Sequence, residues 1–237
     1  MKTGIIVCAG GAVRKGDKYS SKHSVKINGK RVVDYVLDNL LESRVFNDIL
    51  VMIKPGEEKE YEEYKKMGVK VAYGDPEDAQ NTRRIALCLL REKYGYVNSD
   101  LVGIADGNRP FVTPGFYRRL VEVAKVFDNA VPYIANREII IMYDGRHVID
   151  AGTSRNNIRT TISPCIFQFG LLMKIYEDAQ FRGTLKESEG VMRLIADWAE
   201  DDRWIHFVEG EKLFFKVSTK DDVELANIIA KGMEVKK

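Results

Sequence analysis

Four short apolar runs punctuate the first half of the chain, and the segments between them carry helical signals. "GIIVCAG" and "DLVGIAD" read as short strands of the buried type, and "DILVMIK" and "VKVAYG" as two further strands. Between them, "VVDYVLDNLLES" places Val33, Val36, Leu37, Leu40 and Leu41 on one helical face. "EEKEYEEYKKM" reads as a solvated helix, and "AQNTRRIALCLLREKYG" has amphipathic spacing. Strand alternating with helix requires crossover connections, which are right-handed and pair the strands in parallel with helices on both faces. The predicted fold class is therefore α/β, a three-layer sandwich.

Beyond Asp128 the rhythm changes. "AVPYIANREIIIMYDGRHVIDAG" offers strand-like runs on either side of Asp144-Gly145, a dipeptide favoured in two-residue hairpin turns. A long hairpin here would project as a β-arm at about residues 134–160. Its Ile139, Ile140, Ile141 and Met142 form an apolar run that a solvated arm should not expose. Either that face packs on its own domain, or each arm covers its partner in a twofold homodimer. The chain then returns through "SPCIFQF", two helices, "KLFFKV" and a closing helix from Thr219. The 237 residues read as a single domain with an arm, without internal repeat or linker.

Composition excludes several classes. A formal net charge of +2 lacks the basic excess of nucleic-acid-binding domains. No apolar stretch approaches the ~20 residues that a membrane span needs. Cys8, Cys88 and Cys165 are widely spaced, without a C-x-x-C pair, and read as buried thiols of a reducing compartment. The expected location is the cytoplasm.

Ligands of an open parallel sheet collect at the carboxyl ends of its strands, so two loops stand out. The first follows the opening strand: Ala9, Gly10 and Gly11 lead into Arg14, Lys15, Lys18 and Lys22. It matches neither G-x-x-x-x-G-K-[ST] nor G-x-G-x-x-G. What it offers is a glycine turn whose N–H groups can wrap a polyphosphate, with Arg14 and Lys22 supplying charge. The bland alternative is a surface loop of solvated lysines, and for Lys15 and Lys18 that reading is preferred. His23, beside Lys22, reads as a solvated loop histidine. The second loop is "VGIADGNRPFV". There Asp106 ends an apolar strand and can ligate Mg²⁺, which favours one or two carboxylates plus substrate phosphates. Alternatively Asp106 caps a turn and pairs with Arg109.

Taken in order, these motifs resemble the 2-C-methyl-D-erythritol 4-phosphate cytidylyltransferases and their relatives that make CDP-ribitol and other CDP-polyols. The family's A-A-G-x-G-x-R loop and later P-K correspond to "CAGGAVR" and Ser21-Lys22, and its H-D-A-A-R-P strand end to "ADGNRP". "GTSRNN", "SPCIF" and "VEGEKLFFKVSTKDDVELA" match the family's T-V-D-R, T-P-Q-x-F and V-E-G…N-I-K-V-T…D-L segments. The resemblance runs from Gly4 to about Ala230. It implies a Rossmann-like nucleotidyltransferase sandwich that moves CMP from CTP to a sugar or polyol phosphate with Mg²⁺. It further implies that Arg14, Lys22 and Lys216 act at the reacting phosphates and that Asp106 sits at the metal. Ala9, Gly10, Gly11 and Arg109 would line the substrate site. Thr82 takes the place of the serine that helps read cytosine, and Arg155 that of the arginine gripping the acceptor phosphate.

The chain also departs from the pattern. Ala12, Ser21 and Ala105 replace a glycine, a proline and a histidine, and "IANREII" lacks the family's D-T-x-K acceptor segment. A donor side kept and an acceptor side rewritten point to a different polyol phosphate. Heavy use of Lys and Glu suits a heat-adapted organism, in which CDP-inositol serves solute synthesis, so inositol 1-phosphate is the acceptor expected first. 2-C-Methyl-D-erythritol 4-phosphate and ribitol 5-phosphate are the alternatives. The substitutions also allow a third reading, a non-catalytic nucleotide-binding regulator.

Overall fold

The computed structural model describes residues 1–10, 23–143, 145–146, 148–150, 154–185, 190–198 and 205–234. Its strands are β1 (Thr3–Cys8), β2 (Lys26–Ile27), β3 (Lys30–Arg31), β4 (Asp48–Ile53), β5 (Lys70–Tyr73) and β6 (Leu101–Asp106), followed by β7 (Asn129–Ala135), β8 (Met142–Tyr143), β9 (Val148–Asp150), β10 (Arg159–Thr161), β11 (Cys165–Gln168) and β12 (Phe207–Glu209). Its helices are α1 (Val32–Ser43), α2 (Glu62–Lys66), α3 (Ala79–Glu92), α4 (Pro114–Phe127), α5 (Phe169–Phe181), α6 (Val191–Trp198) and α7 (Lys220–Glu234).

The four predicted strands form the parallel half of one sheet. β1 lies between β4 and β6, and β5 continues the set beyond β4. On the other side β11 runs antiparallel to β6 and to β7, so it is a reversed strand between two that point the same way. β10 pairs antiparallel and β12 parallel with β7. The parallel pairing expected of the first half holds, and the antiparallel β11 enters only after the arm.

Alternate residues of β1 serve opposite layers. Ile5 and Val7 pack with Val33, Val36, Leu37 and Leu40 of α1 and with Phe116, Tyr117 and Leu120 of α4. Ile6 packs in a second core with Leu87 and Leu90 of α3 and Leu172 and Tyr176 of α5. Burying a Leu- or Ile-sized side chain contributes roughly 1.5–3 kcal/mol, so these two layers hold the sheet flat between helices. α4 starts where the sequence provides a cap: the Thr113 hydroxyl accepts from Phe116 N–H at 3.2 Å, and Pro114 occupies the first turn. A third, smaller core joins Ile27 and Val32 to Val217, Ala226 and Ala230, seating α7 against the β2–β3 hairpin.

Two expectations need correction. "EEKEYEEYKKM" is not one helix but a 3₁₀ turn over Glu58–Tyr61 followed by the five-residue α2. Tyr61 is the residue it buries, and a longer helix without an apolar face would gain no packing. In the arm, β8 and β9 pair antiparallel across the predicted turn, of which Asp144 lies outside the described residues. Ile139 is 83% exposed and Ile141 52%, so this run does not pack on its own domain. Among the described residues no helix is long and apolar enough to cross a membrane.

Candidate active site

The ladder between β1 and β6 sets Cys8 directly beside Asp106, so two strand ends open onto one place. The strands bind each other a step further on: Gly107 N–H donates to the Cys8 carbonyl at 3.0 Å, and Ala9 N–H to the Met52 carbonyl at 2.9 Å. Ala9 therefore spends its amide on the sheet, and that group is not part of a phosphate cradle. Gly10 is buried where the first loop leaves the sheet. A Cβ there would lie 2.9 Å from the Ile53 carbonyl carbon, so only glycine lets the loop depart this close to β4. Gly11, Arg14 and Lys22 lie outside the described residues.

Asp106 is surrounded by cations. Lys216 Nζ stands 3.3 Å from its Oδ2, and Arg109 Nε stands 3.2 Å from the same oxygen. Its own N–H donates to Ser163 Oγ at 3.0 Å. Burial alone would raise the pKa of this carboxyl. Lys216, then Arg109 and Arg83, overcome that and hold it well below the usual carboxylate range. Asp106 is thus both the strand-end carboxylate and the partner of Arg109; the two sequence readings describe one residue. Beside it lies a cavity of about 200 Å³, lined by Arg83, Arg109, Lys216, Ser163, Cys165 and Met192 among others.

Lys216 arrives from far along the chain and is fixed on both sides. Asn108, fully buried, donates from Nδ2 to the Val217 carbonyl at 2.7 Å, and its backbone carbonyl accepts Val217 N–H at 2.9 Å. Arg109 Nη1 donates to the Phe214 carbonyl at 2.8 Å. The "GNRP" loop thereby holds the 214–217 segment and aims its lysine at Asp106.

Thr82 does something other than expected. Its hydroxyl accepts from Asp75 N–H at 2.8 Å and donates to the Asp75 carbonyl at 3.0 Å. A Cβ on Gly74 would sit 2.7 Å from Thr82 Cγ2, so the two residues are fitted to each other. The hydroxyl is committed to the Gly74–Asp75 turn, which it shapes. Arg155 falls in a 3₁₀ turn, Arg155–Asn157, next to the arm; its side chain is not among those described.

Two residues were missed. His23 is not solvated but buried, 9% exposed, with Nδ1 unpartnered, and burial pushes its pKa from 6.5 to about 4. Arg83 reaches the cavity from α3. A signal for it was present: Arg83 shares the helical face of Ala86, Leu87 and Leu90, all buried, and a cation on an apolar face has a reason to be there. Two of the thiols are held in the protonated form. Burial raises the Cys8 pKa and pushes that of Cys165 up to about 12. Cys8 and Cys88 are only half-buried, less covered than expected.

The donors can be tested against Mg²⁺. Among the described residues no group of three or more His, Cys, Asp and Glu side chains could cage a metal. A single ionised carboxylate facing a cavity does suit Mg²⁺, which takes one or two carboxylates and completes its shell with phosphates and water. The residues fit the ion as a phosphate-borne one.

A sheet with this order, flanked by helices on both faces, is the architecture of nucleotidyltransferases. Solved structures agree on the fold. A 2-C-methyl-D-erythritol 4-phosphate cytidylyltransferase from Francisella tularensis superposes with a TM-score of 0.78 at 23% identity, covering 96% of this chain and 99% of the other. A 4-diphosphocytidyl-2C-methyl-D-erythritol synthase from Anaerococcus prevotii gives 0.79 at 17% identity, covering 97% and 98%. A family model described as "IspD: 2-C-methyl-D-erythritol 4-phosphate cytidylyltransferase" matches residues 3–232. The cytidylyltransferase of that name from Clostridium beijerinckii is 26% identical over 96% of this chain and 98% of its own length. The chain belongs to the 2-C-methyl-D-erythritol 4-phosphate cytidylyltransferase family, and it is a CTP-dependent nucleotidyltransferase.

Two outcomes follow from this geometry. Asn108→Ala strands the Val217 carbonyl and leaves the Lys216 segment held only by its backbone bond and Arg109, so we expect a loss of about 1–3 kcal/mol in denaturant titration and a larger proportional fall in kcat than in CTP affinity. An unchanged kcat would show that the Asn108–Val217 pair does not position Lys216. His23 is neutral in the native state, whereas the unfolded chain protonates it below about 6.5. Its share of stability is therefore present above that pH and is lost as pH falls toward about 4, up to about 3 kcal/mol. Stability curves of His23→Gln should be flatter across this window than those of the parent, and parallel curves would refute the assignment.

Proposed function

We propose that the chain transfers CMP from CTP to 2-C-methyl-D-erythritol 4-phosphate, releasing pyrophosphate. The observation that carries this is the Asp106–Lys216–Arg109 cluster at the joined ends of β1 and β6, in a chain matched along nearly its whole length by enzymes named for that acceptor. Inositol 1-phosphate, the acceptor expected first, finds no support among the relatives reported above. Retained charge-stabilising groups also speak against a non-catalytic regulator, since their value lies in the transition state.

The acceptor's phosphate oxygen is already anionic, so the reaction needs alignment and charge neutralisation, with no general base. Lys216, anchored beside Asp106, meets the charge that develops on the α-phosphate. Arg14 and Lys22 would hold the triphosphate from the first loop, with Gly10 and Gly11 letting its backbone close on it. Thr82 would serve base reading through the Gly74–Asp75 turn, and Arg155 would hold the acceptor's phosphate. Mg²⁺, held by Asp106 and the nucleotide's phosphates, would supply further neutralisation.

The exposed Ile139, Ile140 and Ile141 support a homodimer in which arms cover one another and Arg155 serves the neighbouring site. Sedimentation velocity should show a dimer that Ile140→Glu dissociates; a monomeric parent protein would dismiss the exchange. For the reaction, pyrophosphate release with CTP and Mg²⁺ is measured across methylerythritol, ribitol and inositol phosphates. Release with the first is expected. Release with another acceptor alone would overturn the acceptor assignment, and none with any would overturn the reading altogether.

A further inference from the structure

Arg83 is an unusual residue for the place it occupies. It lies in the first half of α3, one position after Thr82, on the face that buries Ala86, Leu87 and Leu90 in the core between sheet and helices. Nη1 donates to Gln80 Oε1 at 2.8 Å, and that oxygen also accepts from the Tyr176 hydroxyl at 3.0 Å. Nε is buried without a hydrogen-bond partner. Burial opposes the charge, yet the guanidinium stays cationic, with the neutral Cys8 thiol and Tyr176 hydroxyl beside it and the ionised Asp106 carboxylate nearby.

As a structural device this is poor. A buried cation whose donors are partly unmet costs free energy, and an apolar side chain at the same position would pack without that cost. The surroundings explain the expense. Arg83 lines the same cavity as Asp106, Arg109 and Lys216, so among the described residues lining it three cations face one carboxylate. The ion pairs of Asp106 with Lys216 and Arg109 consume one negative charge and leave positive charge in excess. The other described residues lining it (Thr161, Ile162, Ser163 and Met192 among them) are neutral, so an anionic ligand would balance the excess.

We propose that Arg83 is a further substrate-binding residue, a second guanidinium that takes anionic oxygens of the phosphate groups brought together in this cavity. A planar fork suits phosphate oxygens better than a point charge does. The inference rests on the cytidylyltransferase reading for its substrates, but the site itself is defined by chemistry any phosphate would meet. Phosphate oxygens reach the cavity from two sources, the acceptor's phosphate and the nucleotide's α-phosphate, and the measurements separate them.

Arg83→Met and Arg83→Lys are compared with the parent enzyme for melting temperature, for the KM of each substrate, and for direct binding of inorganic phosphate and of CMP by titration calorimetry. Met should hold or raise the melting temperature, because it removes a buried charge, while one KM rises about 10- to 100-fold, the effect of losing a charge-assisted hydrogen bond. A rise for the acceptor with weakened inorganic phosphate binding assigns Arg83 to the acceptor's phosphate. A rise for CTP with weakened CMP binding assigns it to the nucleotide. Lys should recover part of the loss. If Met lowers the melting temperature while both KM values and both ligand affinities stay within twofold of the parent, Arg83 is structural and the proposal fails. If Met lowers stability and affinity together, recovery by Lys sustains the proposal and its absence overturns it. Should no acceptor be turned over by the parent enzyme, the calorimetry still decides: weakened phosphate or CMP binding in Met upholds the Arg83 site, and unchanged binding rejects it.

Discussion

The register between β1 and β6 is the constraint on which the site depends. Parallel strands in step from Thr3 opposite Leu101 to Cys8 opposite Asp106 must end together. Both chains leaving the sheet are then delivered to one spot. A two-residue slip in that ladder would separate the first loop from the carboxylate by roughly 6–7 Å, more than any side chain here could recover. The register is held by burial on both faces, since Ile5 and Ile6 belong to different cores. Packing deep in the sheet therefore sets geometry at its edge.

Asp106 shows how burial and charge divide the work. In water a carboxylate near two or three cations would gain little, because solvent screens them. At a half-covered strand end the same groups keep it ionised against the cost of burial. Lys216 and Arg109 meet one oxygen, and both are tethered through the backbone of the 214–217 segment. The cluster is consequently more rigid than its long side chains suggest, because the flexible lysine is short of freedom at its root.

Much of this could be read from the residues, and the parts that could not have physical reasons. The strands and α1 were legible because a two-sided buried strand and an amphipathic helix leave distinct periods, and Val33, Val36, Leu37 and Leu40 are buried as read. The second half was less so: β10, β11 and β12 are three or four residues long, too short to show a period, and their mixed directions depend on where the arm releases the chain. Asp106 and Lys216 were legible through motif resemblance, whereas nothing in the spacing said that they touch. The partner of the Thr82 hydroxyl was not legible, since it lies in a turn seven residues upstream. Arg83 was passed over because an arginine next to another arginine reads as surface charge until its neighbours at one-turn spacing are counted. Arg14 and Lys22 fall outside the described residues, so resemblance alone locates them.

The bond between Asn108 and Val217 spans 109 positions, and it has a meaning in time as well as space. During synthesis the sheet's parallel half, with Asp106 at its end, is complete long before Lys216 has been made. The parallel half can fold early, yet the lysine that pairs with Asp106 docks only after nearly everything else exists. The carboxylate is thus in place before its partner lysine, and the Asp106–Lys216 pair closes only once the 214–217 segment has docked on Asn108.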